Sequence, residues 1–153
     1  MGMPFRAAIV DLDGTLVDTL GDFEAALCAT LRELSLPVLG REAIEPMVGK
    51  GTEHLLRSAL QAVGAPESAF PAAWDAYHRH YPLINGHHSA VYPGVREGLD
   101  GLCATGLRLA CVTNKPRAFA LGLLAAKGLS GDFLHVFGGD DVRNKKPHPE
   151  ALL

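Results

Sequence analysis

Cysteine is scarce in this chain: Cys28, Cys103 and Cys111 are the only three in 153 residues. They are odd in number and lack the paired spacing of a metal site, so neither a disulfide framework nor a zinc centre is expected. We read them as small buried hydrophobes in a reducing compartment. Long apolar runs are missing too, and none approaches the ~18 residues of a membrane span. Neither sign of charge dominates. Fourteen basic residues against 17 acidic ones give a net charge of −3, which leaves no basic footprint for nucleic acid and no charged tail. Met1-Gly2-Met3-Pro4-Phe5-Arg6 leads almost at once into an apolar stretch, with no room for a signal peptide. Internal repeats and low-complexity tracts are absent as well. These absences describe a soluble, cytoplasmic chain with neither a nucleic-acid nor a membrane partner.

What is present begins with Ala7-Ala8-Ile9-Val10, an apolar run that ends in Asp11-Leu12-Asp13-Gly14-Thr15-Leu16. A short apolar run closed by a turn signal reads as a strand buried on both faces of a parallel sheet. Side chains alternate along a strand, so Asp11 and Asp13 stay on one side as the chain leaves the sheet. Two such acids repel unless a cation joins them or one is protonated. Mg²⁺ suits the place, because it takes a few carboxylate oxygens together with phosphate and water. A bare Asp-Gly pair would mean only a turn, but the full string is far more specific.

After Leu16 the apolar spacing becomes helical, through Leu20, Phe23, Ala26, Leu27, Leu31 and Leu34, with Asp18 or Thr19 as cap. Ser35-Leu36-Pro37 stops that helix. A second apolar face runs over Leu55, Leu56, Ala59, Leu60 and Val63, with Thr52 as its cap, and a third helix is expected over 67–81. Residues 17–88 therefore read as wholly helical. The glycine-flanked Lys50 sits between two of these helices. Trp74, Tyr77 and Tyr81 share helical spacing and read as core. His78 and His80 lie two apart on a helix and so do not face the same way. With His87 and His88 in a polar connection, no histidine metal site is expected.

From Val91 onward strands and helices alternate: a helix over 95–104, a strand over 107–113, a helix over 117–127 and a strand over 133–137. That alternation predicts an α/β fold with a Rossmann-like parallel sheet, its core formed by 1–16 and 89–153 and carrying a helical insert, 17–88. Ligands of such sheets lie beyond the carboxyl ends of the strands. Asp11, Asp13, Thr113, Asn114 and the 140–146 loop gather at that rim. There Asp11 could attack phosphorus, Asp13 could handle the proton of the leaving group, Thr113 and Asn114 could hold a phosphoryl oxygen, and Lys146 could add positive charge. Thr113-Asn114 also reads as a plain helix-capping turn, and a lone lysine as solvated.

These residues carry a resemblance. Asp11-Leu12-Asp13-Gly14-Thr15-Leu16 resembles the first motif of the haloacid dehalogenase superfamily, Val112-Thr113-Asn114-Lys115-Pro116 its second, and Asn144-Lys145-Lys146-Pro147-His148-Pro149 its third. The insert is similar to the small α-helical cap of one subfamily. Val48-Gly49-Lys50-Gly51 and Tyr92-Pro93-Gly94-Val95 look most like the phosphoglycolate phosphatase branch.

The resemblance implies a phosphomonoesterase of small phosphorylated metabolites, 2-phosphoglycolate first among them. Asp11 would be the nucleophile, Asp13 the acid/base and Lys146 the third catalytic residue. Mg²⁺ would be held by Asp11 and the Asp13 backbone carbonyl. Gly14, Thr15, Thr113, Asn114, Gly49 and Lys50 would contact the substrate or its phosphate. A phosphomutase of the β-phosphoglucomutase type, a receiver-like phosphoacceptor and an inactive piece acting only by binding are the competing readings. The family continues past its third motif to a fourth strand with a further acidic motif, whereas this sequence stops at Ala151-Leu152-Leu153. The expectation that follows is an open, apolar edge at Ala8-Ile9-Val10, self-association through it, and weak Mg²⁺ binding.

Overall fold

A computed structural model describes residues 5–153; residues 1–4 of the expected 1–16 segment lie outside the described residues. The chain divides into two compact units, one made of the described residues up to Asp18 with Ala90–Leu153, the other of Thr19–Ser89. The crossings fall at 18/19 and 89/90 rather than at 16/17 and 88/89. The reason is local: β2 (Val17–Asp18) pairs antiparallel with β3 (Ala90–Val91), which ties both crossings to the first unit. Residues 17 and 18 are thus strand, not helix.

The first unit is built on a parallel sheet of β1 (Ala7–Val10), β4 (Arg108–Val112) and β5 (His135–Phe137), in the order β1-β4-β5. Ala7 pairs with Arg108 and Val10 with Cys111, while Ala110 pairs with His135 and Val112 with Phe137. Between the strands run α5 (Val95–Ala104) and α6 (Arg117–Ala126). Leu99 of α5 and Ala120, Leu123 and Leu124 of α6 join Leu12, Leu16, Val17, Leu109, Cys111, Leu129 and Phe133 in one apolar core. Burial of each such leucine is worth about 1.5–3 kcal/mol. After α6, Gly128 adopts a left-handed φ of 67°, and the Leu129 amide bonds back to Leu124 O at 2.8 Å. Glycine takes that φ without the Cβ clash that penalises other residues.

One expectation for β1 is corrected. It is not buried on both faces: Ala7 is exposed and Ile9 is 52% exposed, because β1 is an edge strand of the described sheet. The cysteines also differ from the expectation. Cys111 is buried, but Cys28 is only partly covered and Cys103 is exposed.

The second unit holds α1 (Leu20–Glu33), α2 (Arg41–Ile44), α3 (Thr52–Ala62) and α4 (Phe70–Ile84). α1 packs chiefly on α4, with Ala26, Leu27 and Leu31 buried on one and Ala73, Ala76, Tyr77 and Tyr81 on the other. Tyr81 stacks on Phe23 at 5.8 Å and on Tyr77 at 5.2 Å. Trp74 leaves the core and lies 36% exposed against His78. α4 runs through Pro82 to Ile84, beyond the expected end at Tyr81. Proline removes only one amide there, one turn from the end, and Asn85 N still bonds to Tyr81 O at 2.8 Å. Neither Thr19 nor Thr52 caps through its side chain; Thr52 is the first helical residue, behind Gly51.

A buried carboxylate in α1 went unread in the sequence. Asp22 is fully buried and accepts from Gly86 N at 2.8 Å and His88 N at 2.6 Å. Gly21 beside it leaves no room for a Cβ against His88 O. His78 bonds to Trp74 O and His80 to Glu33, so these two histidines serve the helices' own contacts. No helix of the described residues is long and apolar enough to cross a membrane.

Candidate active site

The site begins where β1 gives out. Leu12 turns inward as core, and its carbonyl collects the amides of Thr15, Leu16 and Val17 at 3.0–3.2 Å, so the chain folds back on itself. Gly14, at φ 75°, makes that tight reversal, and its amide bonds to Val17 O at 2.9 Å. Gly14 and Thr15 are exposed on the turn, while Asp11 and Asp13 flank the buried Leu12.

Each aspartate has its own ammonium partner. Lys146 Nζ lies 3.0 Å from Asp11 Oδ1 and donates to Val112 O at 2.7 Å. Lys115 Nζ donates to Asp13 Oδ1 at 3.0 Å. The two pairs differ in access: the side chains are 26% and 43% exposed for Lys146 and Asp11, but 2% and 9% for Lys115 and Asp13. The cation that two neighbouring carboxylates require is therefore supplied by protein. The sequence pattern gave Lys115 no role. A lysine three residues past the end of β4 was the available signal.

Asp11 Oδ1 also accepts the Leu12 amide at 2.8 Å, and Oδ2 takes no hydrogen bond from the described residues. An open carboxylate oxygen of this kind fits Mg²⁺, which keeps water and substrate oxygens in its shell and needs only one or two carboxylates. Among the described residues no cluster of three His, Cys, Asp or Glu side chains forms a ready-made metal cage.

Thr113 and Asn114 are buried at the end of β4. They do not cap α6, whose N-cap is Pro116 with no side-chain bond. Thr113 Oγ1 instead accepts from Lys115 N at 3.1 Å. The Asn114 carboxamide donates to Lys146 O and accepts from Lys146 N, each at 2.9 Å. Asn114 is thereby committed to the backbone of the Lys146 loop. Two glycines let the loops meet. A Cβ on Gly139 would strike Asn114 O, and one on Gly138 would strike the Arg117 backbone.

The acids around this loop brace it. Asp140 Oδ1 accepts from Arg117 N at 2.7 Å and Asp141 Oδ2 from Gly138 N at 2.8 Å. Glu150 accepts from Arg143 N at 2.8 Å, Asn144 N at 3.0 Å and Asn144 Nδ2 at 2.8 Å. Those bonds, the one from Arg143 N foremost, hold the Glu150 carboxyl below its usual value. Cys111 lies under the site. Burial, then the negative charge of Asp11, pushes its thiol up to about 12, so it stays protonated and is no nucleophile. Gly49 and Lys50 belong to the second unit. Both are exposed, in the connection between the 3₁₀ turn Glu45–Met47 and α3.

A parallel sheet whose first strand ends in an Asp-x-Asp turn, with helices inserted after it, agrees with the fold that the resemblance to the haloacid dehalogenase superfamily implied. That family's sequence model matches residues 8–153, and the chain belongs to this family. Among individual relatives, it is 41% identical over 153 residues to the plasmid phosphoglycolate phosphatase of Cupriavidus necator, covering 99% of this chain and 66% of that one. It is 44% identical over 154 residues to the phosphoglycolate phosphatase of Nitrosospira multiformis, covering 99% and 68%. A crystal structure from Haemophilus somnus, described as a predicted phosphoglycolate phosphatase, superposes with a TM-score of 0.89 at 31% identity, covering 97% of this chain and 69% of that one. The chain thus spans about two thirds of the length of these curated relatives.

Proposed function

We propose that this chain hydrolyses small phosphomonoesters, 2-phosphoglycolate foremost, with Mg²⁺ and through an aspartyl-phosphate on Asp11. The observation that carries the reading is Asp11 itself: a half-exposed carboxylate at the carboxyl end of β1, fixed through Oδ1 and open at Oδ2. The likeness to phosphatases over nearly the whole chain supports the substrate class.

In this mechanism an Asp11 oxygen attacks phosphorus, and the bond from phosphorus to the ester oxygen breaks. The electron pair stays on the leaving oxygen, which takes the proton that Asp13 carries on Oδ2, the oxygen not held by Lys115. Water then attacks phosphorus of the aspartyl-phosphate and gives a proton back to Asp13; phosphate leaves and Asp11 is restored. Lys146 holds Asp11 and opposes the charge of the phosphoryl oxygens, and Gly14, Thr15, Thr113 and Asn114 would contact the phosphoryl group. Asp11 and the Asp13 carbonyl would hold Mg²⁺, which supplies charge neutralisation to the phosphoryl group. Gly49 and Lys50 serve substrate selection in this reading, on the strength of their sequence pattern. We place the protein in the cytoplasm, in keeping with its free thiols.

Phosphate release from 2-phosphoglycolate, hexose phosphates and an aryl phosphate, with Mg²⁺ or with EDTA, tests the proposal. The expected result is Mg²⁺-dependent release that Asp11→Asn abolishes and a higher KM for 2-phosphoglycolate in Lys50→Ala. Release that survives Asp11→Asn would overturn it.

A further inference from the structure

Among the described residues, Lys115 is the only lysine or arginine that is buried. Burying an ammonium is costly unless it is paired, and its partner here is the nearly buried Asp13. The Lys115 backbone is held on both sides. Thr113 N donates to Phe137 O at 3.0 Å, Lys115 N to Thr113 Oγ1 at 3.1 Å, and Gly139 N to Lys115 O at 2.9 Å. The ammonium therefore reaches Asp13 from a loop clamped to the end of β5. An aspartate alone can choose among three χ1 wells, and Asp11, two residues away, repels it. A buried ion pair from a fixed loop leaves one choice.

We infer that Lys115 is a positioning residue for Asp13, holding its carboxyl group by Oδ1 in the single rotamer from which Oδ2 can serve the leaving-group oxygen. The first half of this inference stands on geometry alone; the second rests on the proposed function. The contrast with Lys146 supports it. The Lys146–Asp11 pair is open, as a site that receives substrate must be, whereas the Lys115–Asp13 pair is closed and keeps its geometry before substrate arrives.

The test is made on the isotope-labelled 153-residue chain, with Asp13 resonances assigned through Asp13→Asn. The three-bond Hα–Hβ couplings of Asp13 should be those of one rotamer in the wild type and rotamer-averaged in Lys115→Met. Kinetically, Lys115→Met should slow release from an alkyl phosphate about tenfold more than from p-nitrophenyl phosphate, whose leaving group needs no proton. Unchanged Asp13 couplings in Lys115→Met would overturn the positioning. Averaged couplings with equal loss on both substrates would keep the positioning and remove its link to the leaving group. Averaged couplings with a wild-type chain silent on every substrate would remove the proposed function but not the positioning. Should Lys115→Met fail to fold by near-UV circular dichroism, Asp13→Asn decides. It should abolish the slow exchange expected of the Lys115 ammonium protons, and an ammonium signal indifferent to Asp13→Asn would overturn the inference.

Discussion

Asn114 and Lys146 bond each other in both directions: the Asn114 carboxamide donates to the Lys146 carbonyl and accepts from the Lys146 amide, both at 2.9 Å. A side chain at the end of one strand thus replaces a peptide partner for the loop beyond the next. Lys146 can then place its ammonium between Val112 O and Asp11. Asn114→Ala leaves a partly buried amide and carbonyl unpaired, so we expect it to cost about 1–3 kcal/mol. Asn114→Asp should be no better, because it faces an oxygen toward the Lys146 carbonyl. Thermal denaturation measures both. In Lys146→Met, which keeps the clasp, the melting temperature should hardly move while phosphate release falls by about 10²-fold or more.

Glu150 links this loop to pH. Its folded-state value lies below the ordinary 4.5, through bonds from Arg143 N and Asn144. A depressed carboxyl contributes stability that is complete above the unfolded value and is lost as pH falls through the folded one. The melting-temperature difference between wild type and Glu150→Gln should therefore be constant above about pH 5.5 and shrink below pH 4.5. A difference that grows on acidification would contradict this.

Much of the site was legible because its chemistry is local in sequence. The Asp11/Asp13 turn, the end of β4 and the Lys146 loop each follow an apolar strand, and a parallel sheet brings such ends to one rim. Helix existence was legible for the same reason, from periodicity. What could not be read were pairings set by three-dimensional contact. Lys115 looks like any loop lysine until its stem is seen buried beside Asp13. Asn114 shows no sign in the sequence that both ends of its carboxamide bond the Lys146 backbone. Trp74 fits the core spacing of Tyr77 and Tyr81, yet a helix buries only one stripe, and Trp74 falls at its margin.

Asp22 shows the same limit in the helical unit, where it reads as an ordinary first-turn acid. Its two bonds tie the Gly86 and His88 amides to α1. Asp22→Ala removes the carboxylate acceptor from both amides, and at about 1–3 kcal/mol for each buried group that loses its bond this is a large fraction of a small unit's stability. Asp22→Asn keeps one acceptor and should lose less. Amide hydrogen exchange checks the assignment directly: the Gly86 and His88 amides should be protected in wild type and exchange fast in Asp22→Ala. Equal protection in both proteins would show that the carboxylate does not hold this segment.

The edge of the sheet carries the last expectation. Among the described residues β1 pairs with β4 along one side only, and Ile9 is 52% exposed at its centre. Phe5, just before the strand, is 73% exposed. An uncovered apolar edge is a template for another strand, and a lysine on it opposes such pairing by charge and solvation. We propose that the 153-residue chain self-associates along β1. Sedimentation velocity should show concentration-dependent association of wild type and a shift toward monomer in Ile9→Lys. The Ile9 side chain is half-exposed, so its replacement should cost little in melting temperature. A wild-type chain that stays monomeric across the concentration range would remove β1 as a contact, and equal association of Ile9→Lys would move the contact to another surface.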